Sequence, residues 1–160
     1  MLELLISKHR ENGLLIDSNL LLLLVVGLYD RRRIEGFKRT SAYTLGDFQR
    51  IGRLQQNFVK LWTTPNILTE VDNLGRQLPM NEWPGFANSM RSLCLRLFET
   101  GAGAAEATGR STFARLGLAD SVTLSLGGKF LLISDDLPIC LEASRLGYDA
   151  INFNHLRQTG

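Results

Sequence analysis

The apolar positions of the chain follow two rhythms. Short dense runs, Leu14–Asp17, Lys129–Ser134 and Asp149–Phe153, are mainly apolar and read as strands, the first of the kind buried on both faces of a parallel sheet. Elsewhere apolar residues return every third or fourth position. Phe48, Ile51, Leu54, Phe58 and Leu61 do so with Arg50, Arg53, Gln55 and Gln56 between them. Ile67, Leu68, Val71 and Leu74 do so after Thr64-Pro65, where a proline fits the first turn of a helix. A helical pattern runs from Trp83 to Phe98, a short helix from Leu118 to Leu126 stops at Gly127-Gly128, and the helix ICLEASRLG closes at Gly147. Trp62–Thr64 ends a further extended segment. Asp30–Tyr43 reads as a charged connection, and Thr100–Gly109, built of small residues, as a flexible loop. Strands alternating with helices predict an α/β fold: three layers, α/β/α, around a mostly parallel central sheet. No composition shift divides the chain, so residues 1–160 are expected to form one domain.

The most hydrophobic stretch, LLIDSNLLLLLVVGL, carries Asp17-Ser18-Asn19 inside it. Its uninterrupted part, Leu20–Leu28, is under half of the roughly 20 residues a membrane-spanning helix needs, and extending it backwards includes Asp17. Neither a membrane anchor nor a secretory leader is expected. The stretch reads instead as a strand, Leu14–Asp17, followed by a helix apolar on every side, with Ser18 or Asn19 able to cap it. Cys94 and Cys140 lie in apolar contexts far apart, which suits buried thiols in a reducing compartment, so a cytoplasmic location is expected. A net charge of +2 neither demands nor opposes a nucleic-acid partner.

Sites in parallel sheets gather at the carboxyl ends of strands, and Asp17 and the pair Asp135-Asp136 fall at such ends. If those strands are neighbours, Asp17 emerges beside Asp135 or Asp136, and Asp120 and Glu70 come from helices able to pack over the same edge. Singly, each has an ordinary explanation: a helix cap, a first-turn charge or a surface residue. Together they repel one another, and the usual relief is a raised pKa or a hard cation such as Mg2+ or Mn2+. An acidic site without a nucleophilic Cys, a Ser triad or a catalytic His suits metal-assisted phosphodiester hydrolysis. His9 and His155 lie in terminal segments and receive no role.

The ordered set LIDSN (15–19), PNILTE (65–70), GLADS (117–121) and LLISDDL (131–137), closed by GYDAINF (147–153), resembles the PIN-domain family of metal-dependent nucleases over about residues 13–155. The resemblance implies a Mg2+- or Mn2+-dependent endoribonuclease. Asp17, Glu70 and Asp120 would be three of its metal-holding acids. The family's closing Thr-x-Asp falls on Ser134-Asp135-Asp136, which points to Asp136 as the fourth, with Asp135 as the fallback. Asn19 and Ser134 would orient the carboxylates or a bound water. It also implies a homodimer, and a protein antitoxin if the chain is VapC-like, although the lead Met1–Asn12, the 30–43 connection and the 100–109 loop enlarge it beyond compact members. Candidate phosphate contacts are Arg110 and Arg115, with Arg31-Arg32-Arg33, Lys38-Arg39, Arg50 and Arg53 behind them; surface solvation is the ordinary explanation for each. Two alternatives stay open: a catalytically silent PIN-like module binding RNA or protein, and a phosphatase, which would require a nucleophilic Asp.

Overall fold

The computed structural model describes residues 1–159. Five strands, β1 (Leu14–Ile16), β2 (Leu61–Thr63), β3 (Phe98–Glu99), β4 (Leu131–Ser134) and β5 (Ala150–Asn152), form one sheet in the order β3-β2-β1-β4-β5, with every pairing parallel. The chain moves outward one way through β1, β2 and β3, then crosses to β4 and β5 on the other side. Right-handed crossovers therefore put the helices that connect the strands of the two halves on opposite faces, giving the expected three α/β/α layers. The strand order reverses between β1 and β4, the place where open parallel sheets build their sites.

The first half supplies α2 (Ser18–Tyr29), α3 (Arg33–Gly36), α4 (Leu45–Gln55), α5 (Pro65–Gly75) and α6 (Trp83–Cys94), after an N-terminal α1 (Leu2–His9). Leu20 through Gly27 are all buried, as an all-apolar helix must be, and α2 packs against α4, α5, α6 and β4. The second half supplies α7 (Ala104–Thr108), α8 (Phe113–Leu116), α9 (Leu118–Ser125), α10 (Leu137–Arg145) and α11 (Phe153–Gln158). No helix among the described residues is long and apolar enough to cross a membrane. Cys94 and Cys140 are free thiols, the second buried.

Local differences from the sequence expectations have physical causes. Asp17, rather than Ser18 or Asn19, is the N-cap of α2, and its Oδ1 accepts from the Ser18 amide at 2.8 Å. The 30–43 connection contains α3 and drives Ile34, Phe37, Thr40 and Tyr43 into the core, so its charges conceal an anchored segment. The 100–109 loop contains α7, held by the fully buried Ala107. The pattern running to Phe98 breaks at Cys94, and Phe98–Glu99 pairs instead with the edge of β2. Phe153 starts α11, capped by Asn152, rather than ending β5.

Candidate active site

β1 and β4 are adjacent and in register, Ile16 opposite Ile133, and the ladder continues one residue further through the Asp17 amide donating to the Ile133 carbonyl at 3.0 Å. The two strand ends thus leave the sheet together. Asp17 is 8% exposed; besides the Ser18 amide, it accepts the fully buried Ser134 hydroxyl on Oδ2 at 2.5 Å. Ser134 Oγ in turn accepts the Asp136 amide at 3.0 Å, so one hydroxyl fixes both the strand-end carboxylate and the turn after β4.

Of the two acids in this turn, Asp136 lines the cleft that Asp17 also lines. Asp135 is already bonded within the protein: its carboxylate accepts the Tyr43 hydroxyl and the Asn19 amide, the latter at 3.3 Å, and its carbonyl accepts from Asn154 at 2.9 Å. Asp136 is the N-cap of α10 yet makes no capping bond with its side chain, so the ordinary capping explanation does not account for that carboxylate. It lines, together with Asp17, Ser18, Asn19, Glu70 and Asp120, a cleft of about 230 Å³ bordered by Leu116–Ala119. All four acids named from the sequence face this one space.

Glu70 arrives from α5, whose start is fixed by Thr64 accepting the Ile67 amide and by Pro65 in the first turn. It is exposed, and its Oε2 accepts the Ser18 hydroxyl at 2.5 Å. Asp120 sits in the first turn of α9, entered through Gly117 at φ +84°, a conformation open to glycine and strained for other residues.

Burial, and after it the carboxylates' mutual repulsion, disfavours charge in the cleft. Burial pushes the Asp17 carboxyl up to about 6 despite the Ser134 and Ser18 bonds, and Asp135 and Glu70 add to the rise. Asp120 is pushed up to about 8, first by burial and then by Asp17, Asp136 and Glu70. Asp136 is raised as well, by burial and by Asp135. Nearby, Cys140 is held at about 12 by burial and by these carboxylates, so it remains a thiol and supplies no nucleophile. Among the described residues, no three acids, histidines or cysteines form a ready-made metal cage. The donor set is nonetheless all oxygen, and its carboxyls are hard to ionise together, which is the penalty a hard divalent cation relieves.

Tyr43 and Ser18 are the contributors that reading the sequence missed as site residues. Ser18 was legible as the neighbour of Asp17; Tyr43, distant and set in an apparent linker, gave no signal. Most basic candidates are engaged elsewhere: Arg32 with Asp30, Arg33 with Glu82, Arg39 with Gln77, Arg50 with Asp47, and Arg31 over the Phe48 ring. Arg110 and Arg115 lie near Glu142, whose carboxyl is lowered mainly by its hydrogen bonds from Arg145 and secondarily by these two. Arg115 directly precedes the cleft-lining Leu116 and Gly117. Searches against protein families and against curated proteins give no match.

Proposed function

We propose that the chain is a Mg2+- or Mn2+-dependent, PIN-like endoribonuclease. The supporting observation is that Asp17, Glu70, Asp120 and Asp136 line one cleft at the strand-order reversal, with Asp17, Asp120 and Asp136 driven toward protonation by burial and by their neighbours. These four carboxylates would hold the divalent ion, which when bound supplies an activated water and neutralises phosphate charge. The protein's own task is positional. Ser134 aims Asp17, Ser18 holds Glu70 toward the cleft, and Tyr43 with Asn19 draws Asp135 aside so that Asp136 is left facing it. RNA as the substrate, a homodimer and an antitoxin partner belong to the proposal through the resemblance.

A catalytically silent RNA- or protein-binding module is the second reading, favoured by one observation: Asp17, Glu70 and Asp135 each already accept a hydroxyl hydrogen bond within the protein. Incubation of the purified chain with labelled single-stranded RNA separates the two. The nuclease reading expects cleavage with Mn2+, loss of cleavage with chelator, and loss again in Asp17→Asn and Asp120→Asn. Stable RNA binding without cleavage in every metal tested would sink it.

A further inference from the structure

A second groove, of about 290 Å³, lies between the first turns of α5 and α9 and is lined by Pro65, Asn66, Thr69, Glu70, Leu118 and Ala119. Glu70, Leu118 and Ala119 also line the carboxylate cleft, so the two spaces share a wall. The groove presents apolar surface to solvent: Leu118 is 39% exposed at the very start of α9, and Pro65, at the start of α5, is exposed as well. At its rim stands Asn66, whose carboxamide has no hydrogen-bond partner among the described residues, whereas Thr69 donates its hydroxyl to the Pro65 carbonyl at 2.9 Å.

We propose that this groove is a nucleobase subsite, holding the base of a nucleotide adjoining the phosphate bound in the carboxylate cleft. The inference rests on the nuclease reading. A base unstacked from its strand offers two apolar faces and an edge of in-plane donors and acceptors. Pro65 and Leu118 meet the faces, and the Asn66 carboxamide, with a donor and an acceptor side by side, meets the edge. Every phosphate in a nucleic-acid strand adjoins a sugar and its base, so a groove sharing a wall with the cleft is within reach of a flanking nucleotide. Asn66 thereby becomes a specificity-determining residue: it selects where a single strand is cut, while the four acids do the cutting.

The test is an abasic scan. A seven-nucleotide fluorescent RNA and variants lacking one base at each position in turn are titrated with the full chain in Ca2+, read by anisotropy, and then incubated in Mn2+ to follow cleavage. Wild type is expected to lose about fivefold or more in affinity when one particular base is removed. The double variant Asn66→Ala/Leu118→Ala loses that dependence, and Asn66→Ala alone flattens the choice among the four bases at that position. Both residues lie at the surface, so an unchanged melting temperature shows that the variants are folded. An abasic profile that is flat in wild type, or identical in the double variant, overturns the subsite, as does a groove that takes a protein loop and leaves RNA binding untouched. Base-dependent binding without cleavage would sink the nuclease reading and keep the subsite. Cleavage with unaltered base preference in the double variant does the reverse.

Discussion

Asp17 has two tasks at once, since it caps α2 and lines the cleft. They separate on substitution. Asparagine is as good an N-cap as aspartate, so Asp17→Asn is expected to melt within a few degrees of wild type while RNA cleavage falls to background; circular dichroism melts beside the cleavage assay measure the split. A variant that unfolds would return Asp17 to a purely structural part. Ser134→Ala removes the donor that aims Asp17, and cleavage is expected to drop by about 10–100-fold, the usual effect of losing a group that orients a metal-holding side chain. The raised carboxyls also fix a pH dependence. Asp17 and Asp120 ionise near 3.8 when unfolded but at about 6 and about 8 in the fold. Between those values the native state holds more protons than the unfolded chain, so their contribution to stability is full below about 4 and is lost as pH rises toward 8. In chelator, the melting temperature should therefore fall from pH 5 to pH 8, and Asp120→Asn should flatten the slope.

At the scale of elements, α9 shows how backbone geometry places an acid. Gly117, at φ +84°, turns the chain from α8 into α9 and so sets Asp120 over the strand ends; a Cβ there would meet nothing within 4 Å. Gly117→Ala should cost about 1–3 kcal/mol through the backbone alone, a loss that denaturant unfolding measures. The same scale separates what the sequence made legible from what it did not. The dense runs at β1 and β4 and the all-apolar α2 were readable because burial on every side leaves no room for polar residues, and the acids at their ends followed. β3 was hidden because it has only two residues and Phe98 continues the apolar spacing of α6. The connection containing α3 was hidden because its charged residues, among them Arg32 and Arg33 paired with Asp30 and Glu82, outnumber the buried Ile34, Phe37 and Tyr43 that anchor it. Tyr43 could not be assigned to the site without the contact it makes across the fold.

For the molecule as a whole, the sheet order brings together groups far apart in the chain, Asp17 and the Ser134 that bonds it being separated by 117 residues, and a brace of α4 and α11 stands behind the segment that carries Tyr43. Buried Asp47 accepts from Thr44 and pairs with Arg50 at 3.3 Å and Arg157 at 3.1 Å, while Arg157 donates to the Ala42 carbonyl and lies over the Tyr43 ring. This ties α11 and α4 to the segment that holds Asp135. Asp47→Ala should destabilise the chain by about 1–3 kcal/mol and weaken cleavage without touching the cleft. The central claim is that the four carboxylates act as one cation site, and Mn2+ binding followed by electron paramagnetic resonance at pH 8 tests it most directly. Wild type is expected to bind Mn2+, with affinity reduced at least tenfold in both Asp17→Asn and Asp120→Asn while both stay folded. No Mn2+ binding by wild type, or binding unaltered in both variants, would contradict the account.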